Sequence, residues 1–318
     1  PSPSPLGPTG SSRSPSQWEQ PAGPFPPVKK TGTHLIRGKP SRQKSFIGRK
    51  IKKAMRVVVC IKQVFDPAEL KVDPSTRLLV TDGVSRKISD FDKNAIEEAV
   101  RLKENQKAET FVITMGPADA MRALREALAM GIDNAYLLSD PAFDNSDTLA
   151  TARVLAAAIR KIGNVDLVLT AEASMDGYSG MVGPRLAALL NLPQLTYVRK
   201  IVSVGDGKIV VERDLEEGYE VVEAKLPALV TVTKEINEPR FATLPKIMAA
   251  SKKKVDTWGA AELGLSKEEV GLSGSAVQVM KAEAPVMGRK NIIFKEGELS
   301  QQVEELVKAL VKEGVLKV

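Results

Sequence analysis

From residue 55 onward the chain alternates short β-branched apolar runs with longer stretches whose apolar residues recur every three or four positions. The run 56–61 reads Arg-Val-Val-Val-Cys-Ile, the pattern of a strand buried on both faces of a parallel sheet. Residues 92–104 carry Ile96, Ala99, Val100 and Lys103 at helical spacing. The pattern then predicts a strand over 110–114, a helix over 118–130 closed by Gly131, and a short strand over 135–138. Ser146 or Asp147 is placed to cap a helix over 148–162, which Gly163 ends. A second buried strand is expected over 165–170, and a helix over 180–190 with Pro184 in its first turn. Residues 208–213 and 219–225 alternate apolar and polar around Glu216-Glu217-Gly218, which predicts an antiparallel hairpin. Residues 228–233 return to an apolar strand. Strands separated by helices imply βαβ units, so the fold class is α/β with a mostly parallel, Rossmann-like sheet. Residues 255–297 are rich in Gly and Ser with weak periodicity. Residues 298–312 form an amphipathic helix with Val303, Leu306, Leu310 and Val311 on one face. Such an ending suits either an arm that wraps a partner or a helix folded back on its own domain.

Charge changes this picture only at the N-terminus. The net charge of +7 divides unevenly: residues 1–54 hold 11 Lys/Arg against Glu19, whereas the remainder holds 35 Lys/Arg against 38 Asp/Glu. The basic balance therefore belongs to the extension and gives no support to nucleic-acid binding by the folded part. Residues 1–40 contain 10 of the 20 prolines, so residues 1–54 read as a disordered, basic, Pro/Ser-rich extension. Its poverty in acidic residues suits a transit peptide; a start upstream of a natural Met55 is the simpler reading. Residues 39–53 have the composition of a short basic helix.

Other counts exclude whole classes of chemistry. Cys60 is the only cysteine, so no internal disulfide or cysteine-based metal site forms. The only histidine, His34, lies in the extension, which removes histidine triads and zinc sites from the folded part. Aromatic residues make up only 4%, too few for base-stacking surfaces. No apolar run reaches the roughly 18–20 residues of a membrane span.

In open α/β sheets ligands bind beyond the carboxyl ends of the strands. Four loops are candidates: the one after Cys60 and Ile61; Ser89-Asp90-Phe91-Asp92; Met115-Gly116-Pro117; and 171–184. The last reads Asp176-Gly177-Tyr178-Ser179-Gly180-Met181-Val182-Gly183-Pro184. Its glycines let a ligand approach the backbone closely, Ser179 adds a hydroxyl, and the N–H groups opening the next helix suit a phosphate. Gly-rich strand-to-helix turns are common, so the loop alone does not fix a ligand. GxGxxG and the Walker A lysine are both missing.

Residues 237–254 read Asn-Glu-Pro-Arg-Phe-Ala-Thr-Leu-Pro-Lys-Ile-Met-Ala-Ala-Ser-Lys-Lys-Lys. Asn237 and Pro239 stop the preceding strand, and Pro245 suits the first turn of a short helix. Leu244 is thereby held outward on a stiff support, and Lys252 to Lys254 complement the helix dipole. A plain connection with a solvated lysine run has the same composition.

The order of residues through this segment closely resembles the signature of the electron transfer flavoprotein beta (small) subunit, the family that includes FixA proteins. Four further stretches fit in sequence: Val59-Cys60-Ile61-Lys62-Gln63-Val64, Val80-Thr81-Asp82-Gly83-Val84, Ile96-Glu97-Glu98-Ala99-Val100-Arg101-Leu102-Lys103 and Ala127-Leu128-Ala129-Met130-Gly131. The resemblance runs from about Met55 to the C-terminus. It implies a Rossmann-like fold of adenine nucleotide α-hydrolase-like type over 55–254, with 255–318 as an arm and helix wrapping a large (alpha) subunit. It also implies an adenine nucleotide in the loops named above. The adenosine end would lie near Cys60, Asp90, Phe91, Asp92 and Met115, and the phosphates on Asp176, Gly177, Tyr178, Ser179, Gly180, Met181 and Val182. Cys60 and Phe91 also read as core residues, and Asp90 and Asp92 as helix caps.

In conventional members of the family this ligand is AMP; in electron-bifurcating and FixA-like members it is a second FAD, with NADH as electron source. The bifurcating pattern Asp-Gly-Asp-Thr-Ala-Gln-Val-Gly-Pro is matched at Asp176, Gly177, Val182, Gly183 and Pro184, with Ser179 for Thr. It is departed from at Tyr178 and Met181, and Ala171-Glu172-Ala173 replaces the usual Gly-Arg-Gln. The match leans to FAD. Leu244 and Pro245 would dock a redox partner, a dehydrogenase or a quinone- or ferredoxin-linked oxidoreductase. The resemblance implies a prokaryotic cytoplasmic location, with membrane association through a partner open, and the mitochondrial matrix as the alternative. Two readings compete: a stand-alone adenine-nucleotide-binding regulatory module, and a nucleotide α-hydrolase. The missing Ser-Gly-Gly-x-Asp-Ser loop counts against the second.

Overall fold

A computed structural model describes residues 54–285 and 290–317. The extension expected before Ala54, with its basic helix, lies outside the described residues. β1 (Arg56–Cys60) opens the fold. Two small antiparallel ribbons follow, made by β2 (Gln63–Phe65), β3 (Lys71–Val72), β4 (Leu79–Val80) and β5 (Arg86–Ile88), with β2 paired to β5 and β3 to β4. The chain continues through α1 (Asp90–Gln106), β6 (Glu109–Met115), α2 (Met121–Met130), β7 (Asn134–Leu138), α3 (Thr148–Ile162), β8 (Leu167–Ala171) and α4 (Val182–Leu190). Then come β9 (Gln194–Gly205), β10 (Lys208–Leu215), β11 (Gly218–Lys225), β12 (Ala228–Val232), α5 (Leu244–Lys252), β13 (Asp256–Trp258), α6 (Ala260–Leu263) and α7 (Leu299–Lys312).

Nine strands form one sheet in the order β11-β10-β9-β12-β8-β1-β6-β7-β13. All neighbouring pairs are parallel except β9-β10 and β10-β11, so the sheet is mostly parallel with an antiparallel hairpin at one edge. The central strands have the continuous apolar sequences that two covered faces require: every residue of β8 and β12 is buried. Ile96 of α1 and Leu124 and Leu128 of α2 pack on one face. Val154 and Leu155 of α3 and Leu186 of α4 pack on the other. From β1 the chain builds outward through β6 and β7, then returns to β8 on the opposite side of β1. The strand order therefore switches direction between β1 and β8, where such sheets open a crevice at their carboxyl ends.

Several elements depart from the sequence pattern. α1 starts two residues earlier than expected, at Asp90, with Ser89 as its N-cap residue. The helix expected over 180–190 starts at Val182. The first residues of the one expected over 118–130 form a separate 3-10 turn, Ala118–Ala120. β9 was not foreseen: it is mostly solvated, its ladder to β10 shifts register twice, and Tyr197 sits at φ 56°.

The stretch after 254 does not leave the domain at once. β13 extends the sheet beside β7, with Trp258 stacked on Tyr136 at 4.2 Å between ring centroids. Val270 is buried, and Asp147 Oδ2 accepts from the N–H groups of Ala276 (2.9 Å) and Val277 (3.1 Å). Beyond that point α7 presents Val303, Leu306, Val307 and Val311 exposed, and none of its residues is buried.

Candidate functional site

A cavity of about 350 Å³ opens at the switch point. Its walls come from the carboxyl ends of four strands: Cys60, Ile61 and Lys62 after β1, Met115 ending β6, Ser146, Asp147 and Thr148 after β7, and Ala171 to Ser174 at β8. The glycine loop closes it with Gly177, Ser179, Gly180, Met181, Val182 and Gly183. α4 enters from this loop with no side chain capping its N-terminus.

The glycines do different work. A Cβ on Gly183 would lie 2.6 Å from Thr231 Cγ2 and 3.1 Å from Thr170 Oγ1, so this glycine lets α4 press onto the sheet. Gly180 sits at φ 63°, in the left-handed region. A Cβ on Gly177 would meet only Ser174 Oγ, at 3.7 Å, so its bareness serves the space in front of it.

Of the expected site residues, Cys60, Asp92, Met115, Gly177, Ser179, Gly180, Met181 and Val182 line this cavity. Four do not line it. Asp90 borders a separate hollow with Lys93 and Glu126 and takes a hydrogen bond from Lys87 Nζ at 3.1 Å. Phe91 meets the exposed Tyr178 edge-on at 6.0 Å, outside the wall. Asp176 turns its carboxylate to Lys62 Nζ at 2.6 Å. Neither Asp90 nor Asp92 acts as the N-cap, which is Ser89.

Asp92 sits between the ends of the two central strands. Its Oδ2 accepts from the Lys62 N–H at 2.7 Å, and the Ala171 N–H faces its carboxylate. Burial pushes its pKa up to about 7 against these hydrogen bonds. Burial and the neighbouring Asp92 charge hold the Cys60 thiol protonated, which leaves it inert as a nucleophile. Burial, with Glu235 and Asp214 behind it, also raises the Glu172 pKa. Asp176 titrates below its usual range: burial opposes this but is outweighed by Lys62, Ser174 and the Gly177 N–H.

The raised pKa of Asp92 sets a pH dependence. The folded state holds this proton more tightly than the unfolded chain does. Its contribution is therefore complete below about pH 4 and is lost as pH rises to about 7. Asp92→Asn should gain on the parent over that window, by on the order of 3 kcal/mol. Urea unfolding of both proteins from pH 5 to 8 reads the difference; a difference that does not move with pH contradicts it.

Ser146, Asp147 and Thr148 form a wall that the sequence pattern did not mark, because Ser146 and Asp147 read as simple caps. Asp147 does cap α3, accepting from Leu149 N–H and Ala150 N–H at 2.8 and 2.9 Å. Arg185 of α4 reaches Thr148 Oγ1 at 2.5 Å, tying the glycine loop's helix to this wall. Lys62 opens the candidate loop after Cys60 and Ile61, but nothing in that loop's pattern assigned it a role of its own.

The segment 237–254 stands on the other side of α1. Asn237 and Asn94 bind reciprocally: Asn94 Nδ2 donates to the Asn237 carbonyl at 2.7 Å, and Asn237 Nδ2 to the Asn94 carbonyl at 3.0 Å. Arg240 donates from Nε to the buried Glu97 at 2.7 Å and from Nη2 to Glu104 at 2.9 Å. Two opposed effects act on Glu97: burial raises its pKa, while Arg240 and Arg101 more than reverse this. The loop so anchored presents Phe241 and Leu244 at 96% and 69% exposure, with Pro245 in the first turn of α5. Lys253 is not simply solvated: its ammonium donates to the Ile132 carbonyl at 3.0 Å.

Residues 76–263 match the family model described as the electron transfer flavoprotein domain. The chain is 44% identical, over 82% of its length and 100% of the relative's, to an electron transfer flavoprotein subunit beta of Thermoanaerobacterium thermosaccharolyticum. The chain belongs to the electron transfer flavoprotein beta subunit family. It is also 45% identical to subunit CarD of the caffeyl-CoA reductase-Etf complex of Acetobacterium woodii, over 73% of this chain and 88% of that one. With protein FixA of Azotobacter vinelandii it shares 42% identity over 73% of its length and 84% of the relative's. Among the described residues, no helix of this electron transfer flavoprotein beta subunit is long and apolar enough to cross a membrane. No cluster of His, Cys, Asp and Glu among them is arranged to hold a metal ion.

Proposed function

We propose that this chain is the small subunit of a heterodimeric electron transfer flavoprotein and that the cavity holds the adenosine end of FAD. The observation that carries the reading is the cavity itself, placed at the switch point and walled by backbone-rich loops. Its volume of about 350 Å³ sits at the lower end of the roughly 300–1,000 Å³ of small-molecule sites. That is room for one nucleotide half, with the rest of an FAD leaving toward a partner. The same size admits AMP, the second reading.

Cys60, Ile61 and Met115 offer apolar wall to an adenine, while Gly177, Ser179 and Gly180 offer donors and open backbone to phosphate. Asp92 sits between the two strand ends that frame this space and accepts from the Lys62 N–H at one of them. When bound, the flavin supplies electron transfer; the protein supplies position and electrostatics. Similarity to CarD, a subunit of a caffeyl-CoA reductase-Etf complex, and to FixA supports a place in the bifurcating branch, where NADH would be the electron source and a quinone- or ferredoxin-linked protein the acceptor. Leu244 and Pro245 would present the docking surface for a dehydrogenase or other redox partner.

The exposed apolar face of α7 supports an obligate large subunit, since no residue of α7 is buried. Co-expressed with an electron transfer flavoprotein alpha subunit, the chain should elute as a 1:1 complex in which residues 290–317 resist protease. A chain that stays monomeric beside that subunit, with those residues cut equally fast, contradicts the assignment.

A further inference from the structure

The cavity is poorly charged for an anionic ligand. Three carboxyl groups line it, Asp92, Asp147 and Glu172, against a single cation among the described lining residues, Lys62. That cation is already engaged, with its ammonium 2.6 Å from Asp176 Oδ2 in the glycine loop. Lys62 leaves the end of β1 and Asp176 follows β8, so the pair crosses the switch-point crevice between the two strands.

We infer that Lys62 is the phosphate-binding cation of this site and that Asp176 is its stand-in partner, displaced when a nucleotide enters. The inference rests on reading the cavity as an adenine-nucleotide site. The exchange is energetically open. Both side chains of the pair are about half-exposed, so the pair itself is worth little in water. A phosphate offers more charge and more acceptor oxygens, and charge-assisted hydrogen bonds to it are among the strong ones. The released carboxylate has solvent beside it. The loop keeps its shape without Lys62, because Asp176 Oδ1 separately accepts from Ser174 Oγ and the Gly177 N–H, each at 2.7 Å. The other carboxyls do not compete equally: Asp147 is committed to four backbone N–H groups, and Asp92 and Glu172 are pushed by burial toward their neutral forms.

The test compares AMP with adenosine on the heterodimer, this chain full-length and stripped of bound nucleotide, by calorimetry at low salt. Lys62→Met should weaken AMP by about 10-fold or more, the scale of one hydrogen bond to a charged group. Adenosine should change by less than about 2-fold on that same scale. Lys62→Arg should restore most of the AMP affinity. Asp176→Asn keeps Oδ1 for the turn and removes the competing charge, so AMP should bind about 2- to 5-fold tighter, the worth of an exposed pair. Equal losses of AMP and adenosine in Lys62→Met, or weaker AMP binding in Asp176→Asn, would overturn the inference. A parent chain that binds neither compound overturns instead the nucleotide reading on which it rests.

Discussion

Replacing Gly177 with valine is expected to empty the nucleotide site while leaving the fold standing. The backbone at Gly177 is in an ordinary region, and a Cβ there meets only Ser174 Oγ at 3.7 Å. The isopropyl group would stand in the cavity, in the space proposed for a pyrophosphate. Overpacking of this kind costs about 1–3 kcal/mol, so nucleotide affinity should drop by roughly 10- to 100-fold. In a purified heterodimer one flavin should be lost, the flavin of the large subunit retained, and NADH oxidation reduced in step. The melting temperature should fall by no more than a few degrees. Gly183 supplies the contrast, since its Cβ would collide with Thr231 and Thr170 inside the helix–sheet contact. A Gly177→Val protein with full cofactor content, or one that fails to fold, contradicts the assignment of that space to ligand.

Truncating Leu244 to alanine should slow electron transfer to the redox partner without touching the cofactor. Leu244 opens α5 beside Pro245 and is 69% exposed, on a loop that Asn94, Glu97 and Glu104 anchor through Asn237 and Arg240. A leucine held outward on an anchored loop loses little conformational freedom on docking, which is what makes an apolar anchor effective. Interface anchors of this type cost about 2 kcal/mol or more when truncated, about 30-fold in affinity. The partner concentration giving half-maximal transfer should rise by that factor, with cofactor content and melting temperature unchanged. An unchanged rate at sub-saturating partner would remove Leu244 from the docking surface.

Much of this architecture was legible because burial writes itself into sequence. Val57 to Val59 and 228–232 are apolar on nearly every position because both their faces are covered. The helices over 118–130 and 148–162 announced their ends through Gly131, Asp147 and Gly163. β9 was illegible because most of its residues face solvent and its ladder is bulged. β13 was illegible because three half-exposed residues carry no period.

The candidate site was legible in part, for a related reason. The glycine loop, the strand-end residues Cys60 and Met115, and Asp92 in the first turn of α1 lie where the α/β topology places any ligand. Asp90, Phe91 and Tyr178 were expected there from the resemblance, whereas the start of α1 and the left-handed backbone at Tyr178 (φ 43°) leave them outside the cavity wall. Ser146, Asp147 and Thr148 reach the cavity through tertiary placement alone, and Lys62, though it opens a candidate loop, has a residue type that announces nothing beyond a polar turn. Charge balance across the cavity, which singles out Lys62, exists only once the walls are assembled.

The most direct test of the account is the identity of what the cavity holds. Heat release of ligands from the purified heterodimer, followed by quantitation, should yield two FAD and no AMP per heterodimer. One FAD with one AMP would contradict the FAD assignment, and one FAD with no AMP would contradict the nucleotide site itself.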